Sequence, residues 1–506
     1  MYRPSPTAGL APANVEDQIT GADSGPDGRS TDRTVVILGA GIAGLSAAYE
    51  LERLGVPVEV LEGSRRIGGR VYTFRFGDSE DSPFAELGAM RIPAGHSNTL
   101  RYIAELGLTE ELRSFHSLLA DRNAFLRTDD SYVRLHDAAS RLTTEIRDGL
   151  SHNGYRPETL MFGAWLTLVV DAIAPPDQRQ DLRQDLRTRL LDSAERLNLM
   201  PFVRDGGTAF DLHGLFSAHP SLREGCHNPL RGFLDDILLE TSTELFRLRG
   251  GMEQLARRLA WRVQGPIRRQ HEVVGIESRP DEVLLHLRVG GRHVVRRCGE
   301  VLCTLPFSVL RELRLTGFSD DKMQIINDMQ YVPATKVALH CREAFWRREG
   351  INGGASSSGG RVRQTYYSPT DGDPARGAVL LASYSVGEDA ELLGRMSTAT
   401  RYAAILADLA SMHPQLLRPG MVLNAKSMVW GQFPWSRGGC SVQWGMDAAA
   451  AEEQRQLAQL PQGRLFFAGE HCSSRPAWID GAIESALDAV SRMVLQMPIR
   501  VPELAT

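Results

Sequence analysis

At Thr34 the hydrophobic pattern changes abruptly. Thr34 to Leu38 is a short, apolar, β-branched run, which predicts a central parallel strand covered on both faces. Glycines follow, then apolar positions at helical spacing from Ala43 to Leu54, then a second strand from Val58 to Leu61. This is a βαβ opening. Upstream, residues 1–32 are rich in Pro, Gly, Asp and Ser and read as a disordered leader; they lack the basic start and apolar stretch of a signal peptide. Between about 129 and 245, Leu182, Leu186, Leu190, Ala194 and Leu197 recur at helical steps, the stripe of an amphipathic helix. Pro175-Pro176 and Gly206-Gly207 divide this region into separate helices. From Glu272 strands return, over Glu272 to Ile276, Glu282 to Val289 and Val301 to Leu305. The segment Gly353 to Gly360 reads as a flexible loop, and Leu465 to Ala468 as a last strand before a helix over Gly481 to Leu495.

At 506 residues the chain exceeds one ordinary core, so two or three domains are expected. Its 42% hydrophobic and 24% charged residues exclude collagen-like, fully disordered and disulfide-scaffold classes. A net charge of −5 argues against nucleic acid or an anionic membrane as partner, and no apolar run is long enough for a membrane span. The six cysteines (Cys226, Cys298, Cys303, Cys341, Cys440 and Cys472) form no CxxC pair, so no metal is expected, and reduced thiols in the cytoplasm fit best.

Gly39-x-Gly41-Ile42-Ala43-Gly44 follows the first strand and opens the first helix. Gly39 permits the turn, Gly41 lets backbone approach a pyrophosphate, and Gly44 lets helix pack against strand. The pyrophosphate would meet the helix N-terminus. Glu62 ends the second strand, placed to accept from ribose hydroxyls. NAD and FAD share this fingerprint.

A second glycine motif separates the two cofactors. Glu62-Gly63…Arg66-Ile-Gly68-Gly69-Arg70 resembles the flavin amine oxidase superfamily, as does Phe467-Ala-Gly469-Glu470-His471 near the C-terminus. The resemblance implies FAD, with Glu470 on the ribityl chain, Arg66 and Arg70 as candidates to neutralise phosphates, and Gly39, Gly41, Ile42, Ala43, Gly44, Glu62, Gly63, Gly69 and Gly469 around the dinucleotide. It also assigns cofactor contacts to Ala89, Met90, Arg91, Val273, Trp430, Trp478, Ile479 and Ala482. The implied fold is α/β: a Rossmann-type FAD-binding domain, a mixed-sheet substrate-binding domain and an inserted helical subdomain. The expected FAD-binding domain is discontinuous, over 33–75, 246–330 and 455–495; the substrate-binding domain covers 76–128 and 331–454, and the helical subdomain 129–245.

Within that superfamily an amino acid oxidase must bind a carboxylate, and the planar fork of arginine suits it best. Glu86-Leu-Gly88-Ala-Met-Arg91-Ile-Pro93 resembles the loop on which L-amino acid oxidases carry that arginine. Lys336 to Trp346 and Tyr384-Ser-Val386-Gly387-Glu-Asp389 resemble the snake-venom members. The resemblance implies that Lys336 holds a water at flavin N5, that Tyr384 shares the carboxylate with Arg91, and that the Ala477 carbonyl accepts from the substrate amine. Trp478, Val386 and Cys440 would wall the pocket. Asp480 reads as a helix N-terminal cap. Arg437-Gly-Gly-Cys440-Ser441 resembles the segment by which monoamine oxidases attach flavin covalently, so non-covalent FAD is the expectation and a link at Cys440 the alternative. The expected reaction converts an L-amino acid and O2 to the 2-oxo acid, ammonia and hydrogen peroxide. Amine or polyamine oxidation and amino acid 2-monooxygenation remain the alternatives. A large apolar or aromatic side chain fits Trp478; a cationic one would need Asp235 or Asp236, beside Leu234, to face the pocket. The family further suggests a homodimer.

Overall fold

The computed structural model describes residues 34–118, 120–127, 131–137, 144, 154–173, 179–186, 190–204, 209–224, 234, 244–443 and 446–496. The expected leader, Pro175-Pro176, Gly206-Gly207, Cys226, Asp235 and Asp236 lie outside them. Five short strands form one parallel sheet in the order Ile267–Arg268, Val58–Leu61, Val35–Leu38, Glu300–Cys303, Leu465–Phe467. Val35 to Leu38 are wholly buried because both faces are covered. On one face the helices Ile42–Arg53 and Ile479–Gln496 pack side by side, joining Leu45, Ala48, Ile483 and Val490 to Val35 and Ile37 in one apolar cluster. Against the other lies a mixed four-stranded sheet that includes His271–Ser278 and Val283–Val289, whose Ile276 and Leu285 meet Val36 and Leu38. A parallel sheet between helices and a second sheet is thus built from strands the apolar runs had marked.

The second large sheet has seven strands, ordered Val422–Val429, Ala334–Cys341, Ala378–Val386, Arg363–Tyr367, Ala355–Gly359, Phe125–Arg127, Tyr132–Arg134. One face packs on the helices Gly387–Arg395 and Thr398–Ala410 through Leu393, Ile405 and Leu409. The other packs on the inserted helices, among them Pro157–Ile173 with Phe162, Leu166 and Val170.

Two expectations need correction. The stretch Gly353 to Gly360 is largely a strand, buried over Ala355 to Ser358. Its serines, which suggested a solvated linker, are satisfied internally: Ser356 Oγ accepts from Phe125 N at 2.8 Å, and Ser358 Oγ bonds Thr365 Oγ1 at 2.7 Å. Glycine at 359 leaves room for Arg127, whose Cδ would lie 2.5 Å from an added Cβ. The leucine stripe runs through the helices Arg179–Asp185 and Leu191–Glu195, with Leu182, Leu186, Leu190 and Ala194 buried as expected. The strand Tyr132–Arg134 extends the seven-stranded sheet from within the stretch expected to be helical.

Candidate active site

The turn after the first strand holds Gly39 at φ +103°, a backbone region that favours glycine. A Cβ on Gly44 would lie 2.0 Å from the Gly39 carbonyl oxygen, so helix and strand touch there. Gly41 caps the helix Ile42–Arg53 with no side-chain bond, and no acidic residue occupies the first turn. The N-terminal N–H groups and the positive end of the helix dipole are left for an anion. A second glycine loop closes over the first, with Gly41 bridged to Gly68, and a Cβ on Gly69 would meet Gly41 Cα at 3.2 Å. At the end of the second strand Glu62 accepts from Ala40 N at 2.9 Å and Ser64 N at 2.8 Å, which fixes its carboxylate at the cavity wall.

From this cradle a cavity of about 370 Å³ runs to Cys440, Ala477 and Trp478. Its lining includes Ile42, Ala43, Gly63, Arg70, Ala89, Val273, Gly469, Glu470, Ile479 and Ala482. A side-chain-free double glycine loop, an uncapped helix start and a carboxylate at the strand end together fit the pyrophosphate and ribose of FAD. Gly44, Met90, Arg91 and Trp430 stand behind the wall; Trp430 Nε1 donates to the Leu87 carbonyl at 2.7 Å and so braces the loop that carries Arg91.

The arginines sit differently from their expected role. Arg66 lines the cavity, but its guanidinium donates to the carbonyls of Ile67, Gly69 and Val71 and lies over the Tyr72 ring at 4.5 Å, which ties down the glycine loop. Arg70 donates to Glu470 Oε1 at 2.6 Å. Glu470 also accepts from Ser441 Oγ at 2.7 Å and Ala477 N at 2.8 Å. Burial pushes the Glu470 carboxyl up, but Arg70 and these donors outweigh it and hold it below the ordinary carboxylate range. Asp480 caps a helix, though not its own: Oδ1 accepts from Thr99 N in the first turn of Ser97–Glu105, and Oδ2 from Arg475 at 2.6 Å. Sequence reasoning missed the lid of the cavity, Phe433 to Arg437, and its floor at Thr304 to Pro306. Gly63 was its one trace, since a Cβ there would strike the Trp435 ring at 2.4 Å.

Behind the Trp478 end of the cavity the structure gathers the residues expected to handle substrate. Arg91 is buried, its guanidinium 5.6 Å from the Trp478 ring centroid. The Lys336 ammonium donates to the Gly88 carbonyl at 2.7 Å, contacts Met90 Sδ at 3.3 Å, and lies 4.5 Å from the Tyr384 ring. Burial drives the Lys336 pKa down to about 7, against the raising effect of Glu86. Burial raises Glu86 to about 7, although it accepts from Met252 N at 2.7 Å and Thr73 Oγ1 at 2.9 Å. Val386 ends the strand that carries Tyr384, half-buried, and Ala477 takes a left-handed φ of +69° that leaves it at the cavity wall. Cys440 is half-buried, pairs in register with Val332 and faces the cavity.

Comparison with known proteins agrees with this geometry. The profile of the flavin containing amine oxidoreductases matches residues 42–494. A flavin-dependent L-tryptophan oxidase from Lentzea aerocolonigenes is 54% identical over 459 residues, covering 90% of this chain and 97% of its own. An L-amino-acid oxidase from Mus musculus is 29% identical, over 92% of this chain and 71% of its own. Among solved structures, wild-type putrescine oxidase bound to putrescine superposes with a TM-score of 0.59 at 19% identity, over 92% of this chain and 99% of that one, a likeness of fold. FAD is the cofactor, and the reaction is oxidative deamination of an L-amino acid. The chain belongs to the flavin containing amine oxidoreductases, as an L-amino acid oxidase.

Proposed function

We propose that this oxidase takes L-tryptophan or a closely related indole amino acid, with Arg91 and Tyr384 as its carboxylate clamp. The buried Arg91 guanidinium beside the Trp478 ring carries the reading, because a buried cation next to an aromatic wall suits a carboxylate attached to an apolar side chain. The 54% identity to an L-tryptophan oxidase supports the indole. So does the apolar cluster against which Tyr384 packs, which includes Met90, Phe162, Trp165 and Leu234. Bound FAD supplies the two-electron acceptor that dioxygen reoxidises with release of hydrogen peroxide.

The protein's part is orientation. Two-point binding of the carboxylate by Arg91 and Tyr384 turns the Cα–H toward the cavity; such positioning can lower a barrier by several kcal/mol, about 7–11 in the best cases. The Ala477 carbonyl accepts from the amine, which must be neutral so that its lone pair stabilises the developing iminium. Lys336 orients a water, and when neutral it can take up the proton that the amine releases through that water. Val386, Cys440 and Trp478 wall the side-chain pocket. FAD is held without a covalent bond at Cys440, and a homodimer in the cytoplasm completes the reading. Oxygen uptake and peroxide release are measured against the twenty L-amino acids, with product mass spectrometry. The reading expects L-tryptophan to lead, with the 2-oxo acid as product. Preference for simple amines, or a carboxamide product, would overturn it.

A further inference from the structure

The lid over the cofactor cavity is a loop closed on itself. Its ends meet where Gly438 N donates to the Trp430 carbonyl at 3.0 Å, and within it Ser436 N and Arg437 N donate to the Phe433 carbonyl at 3.1 and 2.9 Å. Ser436 Oγ adds a bond to the Trp430 carbonyl at 3.2 Å. Arg437 takes a left-handed φ of +46°, uncommon for a residue with a side chain, and such backbone persists where surrounding bonds over-determine it. Phe433 to Arg437 are thus held as one piece, hinged at Trp430 and Gly438.

The piece reaches both walls of the cavity. On one wall the Trp435 ring lies against Gly63, where an added Cβ would stand 2.4 Å from Cζ3, and the Arg66 guanidinium lies 5.4 Å from the Phe433 ring centroid. On the other wall Ser308 Oγ donates to the Ser436 carbonyl at 2.6 Å, and Arg437 Nη1 stands 3.6 Å from Glu312 Oε1. Ser308 sits in the short helix Phe307–Leu310, which continues the cavity floor. Pro434 and Arg437 are exposed while Phe433, Trp435 and Ser436 are wholly or partly covered, so the lid stands between the cavity and bulk water.

These ties differ in strength. Arg437 and Glu312 are both about half exposed, and such pairs contribute little. Ser308 and Ser436 are buried, so parting their bond leaves a carbonyl unmet until water reaches it. The Trp435 ring offers the lid its largest apolar contact. Pro306 and Val309 line the cavity and Ser308 does not, so Ser308 bears on a bound cofactor only through the lid.

We propose that Phe433 to Arg437 form a strap that must swing open for FAD to leave or enter, with the Ser308–Ser436 bond as its latch and the Trp435 ring as its main hold on the glycine-loop wall. The latch joins protein to protein. Weakening it raises the open fraction whether or not cofactor is bound, so release and capture both quicken and the affinity is nearly unchanged. A side chain that only touched the cofactor would change release and affinity together.

The test mixes holoenzyme carrying radiolabelled FAD with excess unlabelled FAD and follows the label left on the protein; flavin still bound at equilibrium after serial dilution gives the affinity. Ser308→Ala is expected to release FAD roughly three- to tenfold faster than wild type, with affinity within about twofold. Trp435→Ala should release it roughly tenfold faster or more, and Arg437→Ala within about twofold of wild type. Release from Ser308→Ala at the wild-type rate overturns the strap, whatever Trp435→Ala does. Faster release matched by an equal loss of affinity overturns it too, since the bond would then shape the site and not a moving lid. Faster release from Arg437→Ala than from Ser308→Ala would take the latch away from Ser308. The decision stands on Ser308→Ala, which deletes a single oxygen, even if Trp435→Ala purifies without flavin.

Discussion

Arg70 and Glu470, 400 residues apart in the chain, close a 2.6 Å ion pair in the wall of the cofactor cavity. Through it the glycine loop near the N-terminus and the second flavin motif near the C-terminus are held as one surface. Arg70 is half-buried but Glu470 is buried, so removing the arginine leaves the buried carboxylate without its cation, at a cost of about 3 kcal/mol. Arg70→Met should therefore purify largely without flavin and unfold at lower urea concentration; the ratio of flavin to protein absorbance and a urea titration check both. Full flavin occupancy would show that the two motifs assemble without the pair.

Arg91→Ala removes the cation assigned to the substrate carboxylate. Its kcat/KM should fall by about 2–4 kcal/mol, most of it in KM, because the lost contact is made before and during the transition state alike. Flavin content should stay near that of wild type, since Arg91 lies behind the cavity wall. Steady-state oxygen uptake gives the answer, and near-normal efficiency would remove the clamp.

Much of this was readable in the residues, and the limits have physical causes. Local features carried the parallel sheet: Val35 to Leu38 read as a strand buried on both faces, and the turn at Gly39 and the close helix–strand contact at Gly44 are both found. Long-range features did not carry. The Ser356 and Ser358 hydroxyls look like linker chemistry until Phe125 and Thr365, brought by other strands, satisfy them. Trp435 lies over Gly63 with no motif to announce it. Arg66 and Asp480 were assigned to plausible tasks, but carbonyls and a neighbouring helix start compete for their hydrogen bonds. Pairing such as Lys336 with Tyr384 with Gln364 is set by register, which is a property of three strands and not of any one.

His471 should make the fold sensitive to acid. Its ring is buried 4.5 Å from the Phe307 ring, and neither ring nitrogen has a hydrogen-bond partner among the described residues. Burial lowers its pKa to about 3, against the raising effect of Glu470, whereas in the unfolded chain it titrates at about 6.5. Between those values the unfolded state binds a proton that the native state refuses, so stability falls as pH drops below about 6.5. The loss of Tm between pH 7 and pH 5 should be smaller in His471→Leu than in wild type. An equal loss in the two proteins, read by thermal unfolding of the flavin-loaded forms, would move the acid sensitivity to other groups.

Lys336 and Glu86 give the reaction its pH dependence. The two buried groups each titrate at about 7, the lysine lowered by burial and the carboxyl raised by it. Each charge favours the other, so Glu86 as carboxylate holds the Lys336 pKa above the value that burial alone would give. If Lys336 takes up the amine proton through water, it must be neutral, and activity rises with pH through an inflection near 7. Glu86→Gln keeps an acceptor for Met252 N but removes the charge. Without that charge the lysine loses its proton more readily, so the inflection should move to lower pH. Lys336→Met should abolish it and slow turnover roughly 10²–10⁴-fold while FAD stays bound. A kcat/KM profile from pH 5 to 9 on the three proteins separates the roles. An inflection near 7 that survives in Lys336→Met would assign it to another group, and one that rises in Glu86→Gln would reverse the sign of the coupling.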